Sequence, residues 1–196
     1  SYSTAGFQVT GRVAEVVTGK PWATIFAEEM KDPLDLRNTS YGTTPNPLLG
    51  GGVTSTMYDY GRFLQMLLDD GVSNGQRVLS SASVREMERN QTGDLPILLS
   101  LHRDGRRYGL GVWRDAVDAQ GNAVQLSSQG DTGVSPWIDR RRHLCGVFLS
   151  EDGLGNVYDL VSRVQQTFRE ILDAAPASTR APISHPTCRR PRNSPT

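Results

Sequence analysis

Apolar residues recur at helical spacing through the first ninety residues of the chain. Four valines fall on one face of a helix predicted over residues 5–18, and a glycine follows as its end. Further helices are predicted over about 21–30, 57–70 and 80–90, bounded by Ser, Thr, Pro or Gly residues. The first half of the chain is therefore predicted to be helical. The four valines are Val9, Val13, Val16 and Val17.

The hydrophobic period changes after Asn90. Four short runs rich in aromatic and β-branched residues are separated by turn residues, which predicts an antiparallel meander over 107–150. A final helix over 156–173 carries one apolar stripe, which is predicted to pack on that sheet. Helices followed by antiparallel strands and one covering helix define the fold class α+β. The four runs are YGLGVW, NAVQLSS, VSPWID and HLCGVFLS.

The end of the chain has a different composition from the rest. From Ala174 onward it reads AAPASTRAPISHPTCRRPRNSPT, which is Pro, Ser, Thr and Arg with almost nothing to bury. A segment of this kind cannot offset the entropy of ordering its backbone. Residues 1–173 are therefore predicted to form one domain, and residues 174–196 a disordered tail.

Charge and residue usage argue against several classes of function. Lys plus Arg and Asp plus Glu both number 21, so no net field favours nucleic acid. The run Arg140–Arg142 is predicted to be a solvated hairpin tip. No stretch approaches the about 20 apolar residues that a membrane span needs. The three histidines are far apart in sequence, with no metal-ligand spacing, so neither a metal nor a cofactor is predicted.

Four stretches of the chain stand out as motifs in a fixed order. They are YSTAGF with the later VTGK and DPLDLRNT, then GGGVTSTMYDYGRFLQMLLDDG, then NGQRVLSSASVREM, and last YGLGVW with the later SSQGDTG. Together they resemble the serine β-lactamase and penicillin-binding-protein superfamily, in its class C and esterase-like branch. The resemblance covers about residues 1–172 and implies the C-terminal part of a β-lactamase/transpeptidase-like fold.

The resemblance implies acyl transfer through a serine that is activated by a lysine three residues later. The chain has only two lysines, and the residues three before them are Val17 and Glu28. Because the family places its Ser-x-x-Lys turn upstream of the tyrosine motif, the chain is predicted to be the C-terminal half of a serine hydrolase, inactive alone. Its substrate would be a small molecule or peptide: a β-lactam, an ester or a D-amino-acid peptide.

An alternative of another class stays open. The chain would then be a non-catalytic, truncated or decayed homologue that binds ligands at most. The absent Ser-x-x-Lys turn is compatible with both hypotheses. An in-frame Ser-x-x-Lys upstream of Ser1 would favour the hydrolase.

The resemblance assigns two site residues at the start of the chain. Tyr2 falls on the family's catalytic tyrosine, and Thr4 takes the position of its substrate-binding asparagine. Tyr2 is either a proton-transfer group or a solvated tyrosine, because a phenol with a pKa of about 10 is a poor base without a neighbouring cation. Thr4 either binds substrate or caps the following helix.

The family's last motif is Lys or His, then Ser or Thr, then Gly. It aligns with Ser128, Gln129 and Gly130, so Ser128 replaces the cation. The resemblance implies that these residues line the substrate-binding strand, that Gly130 lets the substrate approach, and that the Asp131 N–H donates to the oxyanion. The alternative is an ordinary hairpin turn, which the sequence QGDTG fits equally.

The resemblance also implies an incomplete fold. In the family, the sheet takes further strands and the helical part a further helix from the N-terminal segment. Without them an open strand edge and an uncovered apolar helix face would remain, which predicts self-association. Family members are often exported, and these 196 residues contain no secretory segment, so the compartment stays open.

Overall fold

The computed structural model describes residues 3–96 and 105–175. The helices are α1 (Thr4–Thr18), α2 (Trp22–Phe26, continued by a π-helical turn over Ala27–Lys31), α3 (Met57–Leu68), α4 (Ser81–Glu88) and α5 (Leu154–Ala174). The strands are β1 (Val72–Ser73), β2 (Gln76–Arg77), β3 (Arg107–Tyr108), β4 (Trp113–Val117), β5 (Ala123–Ser127), β6 (Ser135–Asp139) and β7 (Leu144–Phe148). Beyond Ala175, the predicted tail lies outside the described residues.

Helix α1 confirms the prediction made from the valine spacing. The Ser3 hydroxyl caps its start by accepting a first-turn N–H at 3.3 Å, and Gly19 ends it in the left-handed region at φ 68°. The Gln8 amide joins α1 to the following loop through the Pro47 carbonyl and the Leu49 N–H. The four valines point away from the rest of the molecule, with exposed fractions of 55% to 79%.

Helix α3 lies at the centre of the molecule. Thr56 caps it by accepting the Asp59 N–H at 3.3 Å. The buried Asp59 carboxylate accepts the Asn38 N–H at 2.6 Å and the Thr39 hydroxyl at 2.9 Å, which fixes the preceding loop against the helix. The core combines α3 with that loop, α4 and the sheet: Leu34, Leu36, Leu64, Met66, Leu67, Leu68, Val84, Ala123, Leu126 and Ile138.

The predicted meander is confirmed, because β3, β4, β5, β6 and β7 neighbour one another in sequence order and every pair is antiparallel. Helix α3 packs on one face of this sheet and α5 lies across the other. Val157 and Val161 of α5 are buried, so the predicted cover is confirmed for these two residues. It is wrong for Leu160, Phe168 and Ile171, which are 43%, 47% and 58% exposed. The fold class is α+β, as expected.

The arginine run between β6 and β7 is not a solvated tip. The Arg140 guanidinium donates to both Glu88 carboxylate oxygens, at 2.6 and 2.8 Å, and to the Leu67 carbonyl at 2.9 Å. Arg142 donates to the buried Asp139 carboxylate at 2.9 Å. Buried acceptors therefore draw two of the three arginines inward, because an acceptor away from water needs a donor.

Candidate active site

Of the two candidate residues at the start of the chain, only Thr4 lies within the described residues. Tyr2 lies outside the described residues, so its position stays a prediction. Thr4 is the first residue of α1 and is exposed; because the Ser3 hydroxyl is the cap, the capping interpretation of Thr4 is wrong. Thr4 lies against Gly50, where an added Cβ would come within 3.0 Å of the Thr4 methyl carbon. The start of α1 is therefore next to the glycine turn that precedes α3.

The other candidates extend β5 into its turn towards β6. The Ser128 N–H donates to the Pro136 carbonyl at 3.3 Å, and the Gly130 N–H donates to the Val134 carbonyl at 2.8 Å. The Gly133 N–H then closes the turn on the Gly130 carbonyl at 3.0 Å. The segment thus has the hairpin conformation that the second interpretation predicted. That conformation does not by itself decide whether the turn binds substrate.

Two glycines of this turn differ in their surroundings. At Gly133, φ is +81° and an added Cβ would lie 2.6 Å from the Asp152 carbonyl oxygen, so conformation and packing both require glycine. Gly130 has no left-handed φ, and an added Cβ there would meet only Val134, at 3.9 Å, among the described residues. The space beside Gly130 is therefore open to a ligand.

Asp131 presents a backbone N–H that donates to no other residue in the described part of the chain. Its carbonyl accepts the Leu154 N–H at 2.9 Å, which ties the turn to the start of α5. The residue as a whole is exposed. A backbone N–H that is held in direction and accessible is the kind of donor that stabilises an oxyanion.

Ser128 lines an apolar groove of about 160 Å³ between α3 and the sheet. Tyr60 and Phe63 form one wall, with their rings edge to face and the centroids 6.0 Å apart. Burial raises the pKa of Tyr60 to about 12, so its hydroxyl stays neutral and can only donate or accept hydrogen bonds. The sequence does not reveal this wall, because helical spacing does not distinguish a groove lining from a core. The remaining lining includes Leu67, Met87, Leu110, Val112, Leu126 and Ile138.

The Gln129 side chain lies on the other face of the sheet, under α5. It is 8% exposed and accepts the Ser127 hydroxyl at 3.1 Å. Ser127 also contacts the Asp115 carboxylate at 2.9 Å, and Asp115 accepts from Arg106 at 2.7 Å. This network supports the end of β5 from behind, so the Gln129 side chain and Ser128 are not brought together. Alternation of side chains along a strand was the signal that could have separated them.

The described residues offer neither a metal site nor a reactive thiol. Within residues 3–96 and 105–175, no group of three or more His, Cys, Asp or Glu side chains is placed to hold a metal ion. Burial raises the pKa of the Cys145 thiol to about 11, which keeps it protonated. No helix in that same part of the chain is both long and apolar enough to cross a membrane. The turn itself offers backbone N–H groups, the Ser128 and Thr132 hydroxyls and the exposed Asp131 carboxyl group.

An antiparallel five-stranded sheet with helices on both faces, and a glycine turn beside the groove between α3 and the sheet, defines a domain of the β-lactamase-type hydrolase fold. The Beta-lactamase family model matches residues 1–166, and the chain belongs to this family.

Two curated relatives support that membership. Penicillin-binding protein 4 of Amycolatopsis lactamdurans is 32% identical over 125 residues, which are 48% of this chain and 33% of that protein. A protein of Mycobacterium tuberculosis described as uncharacterized is 38% identical over 140 residues, which are 68% of this chain and 34% of that protein. The chain spans about a third of the length of these relatives.

Solved structures show the same architecture. A candidate β-lactamase from Bacteroides dorei superposes with a TM-score of 0.68 and 34% identity, covering 77% of this chain and 49% of that one. A candidate 6-aminohexanoate-dimer hydrolase from Bacillus anthracis has a TM-score of 0.72 at 21% identity, covering 90% of this chain and 45% of that one. At that identity the second likeness shows the fold alone. The chain spans about half of each solved structure.

Proposed function

We propose that this chain is the C-terminal half of a serine hydrolase that works by acyl transfer on an amide or ester carbonyl. The observation that carries this proposal is the turn after β5, where Gly130 is open on one side and the Asp131 N–H donates to no other described residue. A substrate carbonyl laid beside Gly130 would meet that N–H as its oxygen gains charge. Such donors commonly supply a large share of the rate enhancement, because they need not reorganise during the reaction.

The proposed substrates are β-lactams, esters and D-amino-acid peptides. Family membership supports the reaction class, and the name of the matched penicillin-binding protein agrees with it. The apolar groove beside Ser128 would accept an apolar group next to the reacting carbonyl. Thr4 would contact the substrate from the start of α1, and Gln129 would support the turn through Ser127. The reaction requires no cofactor.

The nucleophile is the part that these 196 residues do not supply, since no serine lies three residues before a lysine. The solved relatives are about twice as long as their match to this chain. We assign the nucleophile and its lysine to polypeptide outside these residues. Tyr2 would then complete proton transfer, because a nearby lysine lowers the pKa of a phenol towards the range useful for a base.

A second function is a non-catalytic homologue that binds ligands at most. Two features favour it: the absent Ser-x-x-Lys turn, and Ser128 at the position where the family has a cation. The coding sequence upstream of Ser1 separates the two functions. An in-frame Ser-x-x-Lys supports the hydrolase, and its absence supports the homologue without activity.

The 196-residue chain itself is expected to form no acyl-enzyme. It is incubated with a chromogenic lactam, a nitrophenyl ester and a fluorophosphonate probe, and its intact mass is measured. The expected result is an unchanged mass. A stoichiometric adduct on any serine would show that this chain carries its own nucleophile.

Tyr2→Phe is the sharpest test in a longer protein that supplies the serine. The substitution removes only the hydroxyl, so the fold should survive while acylation slows by about 10²–10⁴-fold. Stopped-flow acylation rates with the lactam and the ester give the measurement, and circular dichroism controls for folding. A folded variant with the full rate would remove Tyr2 from the mechanism.

A further inference from the structure

Ser128 stands where the family has a cation, and its side chain faces the groove between α3 and the sheet. The Ser128 hydroxyl can donate or accept a hydrogen bond, but it carries no charge. The next side chain, that of Gln129, lies under α5, because side chains alternate along an extended segment. Gly130 has no side chain at all. Residues 128–130 therefore offer a substrate no positive charge.

Asp131 adds an acidic side chain at the same turn. It is exposed, and none of the ion pairs in the described part of the chain includes it. The N–H of Asp131 is the proposed oxyanion donor. Because the side chain starts from the adjacent Cα, it stays close to any carbonyl that this N–H binds. A substrate carboxylate beside the reacting carbonyl would therefore be repelled, since like charges at short range disfavour binding.

The groove beside Ser128 is lined by uncharged side chains in the described part of the chain. The elements that form most of its walls, α3, β4, β5 and β6, carry two arginines and no lysine. Arg62 on α3 donates to the Asp35 carboxylate at 2.9 Å, and Arg114 on β4 donates to the Glu88 carbonyl at 2.9 Å. Both guanidinium groups are therefore bound to acceptors outside the groove. The groove suits an apolar group and provides no partner for an anion.

We propose that the substrate is an uncharged ester or amide with an apolar group, and that Ser128 and Asp131 exclude substrates with a carboxylate beside the reacting carbonyl. This inference rests on the proposed acyl transfer at the same turn. Penicillin-type lactams and peptides that end in a D-amino acid both carry such a carboxylate. Uncharged esters are therefore the proposed substrate class that fits the turn best. Selection arises from a missing attraction at Ser128 and a repulsion at Asp131.

Benzylpenicillin and its methyl ester are matched probes, because esterification removes the negative charge and adds only a methyl group. Their binding to the 196-residue chain is followed by the amide NMR signals of Gly130 and Asp131. The methyl ester should bind about tenfold more tightly than benzylpenicillin. This preference should shrink when the salt concentration rises from about 50 to about 500 mM, because salt screens exposed charges. A purely apolar preference would not shrink in this way.

Three variants of the same chain test which residues cause the preference. Ser128→Lys adds a cation beside the groove and should reverse the preference in favour of benzylpenicillin. Asp131→Asn should reduce the preference by about threefold, because it removes the repulsion. Asp159→Asn is the matched control, since Asp159 is an exposed acid on α5, away from the turn. Circular dichroism controls for folding. Binding of neither probe, equal or tighter binding of benzylpenicillin by the unchanged chain, or equal effects of Asp131→Asn and Asp159→Asn would overturn the inference.

A longer protein that supplies the Ser-x-x-Lys turn separates this inference from the proposed function. Acylation by the methyl ester with a kcat/KM about tenfold above that of benzylpenicillin would support both. A higher kcat/KM for benzylpenicillin would support the hydrolase and overturn the exclusion of carboxylates. Acylation by neither probe would overturn the hydrolase, and the binding preference of the 196-residue chain would then decide the class of ligand.

Discussion

Helices α1 and α3 have the same kind of apolar spacing and opposite surroundings. The second half of α3 is packed between the preceding loop and the sheet, and its Leu64, Met66, Leu67 and Leu68 are at most 5% exposed. The four valines of α1 are 55% to 79% exposed, and Gly11 is the one residue of α1 that is buried. Periodicity therefore predicts a helix, but it does not predict what covers the apolar face.

The α3–sheet layer is covered on its apolar side within the described residues, whereas the outer face of α1 is not covered by any of them. The α3–sheet layer holds the core cluster. Helix α1 contacts α2 and the turn around Leu49, and its outer face is uncovered. Stability should accordingly respond strongly to changes in the α3–sheet layer and weakly to changes on the outer face of α1.

The largest effect is expected at Arg140. Replacing it with Met leaves the Glu88 carboxylate, which is 13% exposed, without its cation, and leaves the Leu67 carbonyl at the end of α3 without a donor. The expected loss is about 3–5 kcal/mol of the free energy of unfolding, measured by urea denaturation. Arg141→Met is the matched control, because Arg141 is exposed in the same hairpin. Equal losses in the two variants would show that the buried pair does not tie α3 to the sheet.

The free energy of unfolding that is lost in Arg140→Met should also depend on pH. Burial raises the pKa of Glu88, opposed by the hydrogen bonds from Arg140. A carboxyl group whose pKa is higher in the folded state costs stability above that pKa, and the cost is relieved as the pH falls towards the unfolded value. Without Arg140 this upward shift should grow. The gap between wild type and Arg140→Met should therefore narrow from pH 7 to pH 5, and an unchanged gap would exclude Glu88 ionisation as its cause.

A direct comparison of the two helices gives the next largest effect. Met66 of α3 is 0% exposed, so Met66→Ala should cost about 2–5 kcal/mol through the lost transfer energy and the cavity left behind. Val13→Ala on α1 should stay within about 0.5 kcal/mol. Urea denaturation of both variants provides the measurement. If Val13→Ala lost nearly as much free energy of unfolding as Met66→Ala, the valine face of α1 would be covered in solution.

The sequence predicted most of the fold, because the helices and the meander depend on local spacing and turn residues. It did not predict the partners of buried charges. Asp59 lies in the first turn of α3, and its carboxylate accepts the Asn38 N–H and the Thr39 hydroxyl, which are 21 and 20 residues away in sequence. Arg140 looked like part of a solvated run, and its acceptors are on α3 and α4. Contacts between distant residues leave no period in the sequence.

The candidate site depends on resemblance more than on pattern, and the roles of its residues stay predictions. The resemblance placed Ser128 to Asp131 on a substrate-binding strand, with an ordinary hairpin turn as the alternative, and the described residues have the hairpin conformation. It did not show that the Gln129 side chain lies under α5, or that Tyr60 and Phe63 form a groove beside Ser128. Those facts depend on how α3 and α5 sit on the sheet, which no single motif encodes.

The two glycines of the β5–β6 turn extend the comparison to the site. Gly133→Ala should cost about 1–3 kcal/mol, because it places a side chain at φ +81° against the Asp152 carbonyl oxygen. Gly130→Ala should change stability by no more than about 0.5 kcal/mol, because only Val134 is near. Thermal unfolding of the Gly133→Ala and Gly130→Ala variants measures the difference between the two losses. A large loss at Gly130 would show that the chain itself requires glycine there, and would remove the main support for a substrate-binding role.

The smallest effect is expected for Ser128→Ala. The Ser128 N–H bonds to the Pro136 carbonyl whatever the side chain, so the turn should persist and stability should change by less than about 0.5 kcal/mol. In a longer protein that supplies the nucleophile, kcat/KM should also change by less than about threefold, since the cation that the family uses here is already absent. Gly130→Val is the contrasting variant, because its side chain would fill the space open to substrate and raise KM. Steady-state kinetics with a lactam and an ester compare the two. A strong loss from Ser128→Ala with normal folding would mean that the Ser128 hydroxyl itself contacts the substrate or the proton-transfer groups.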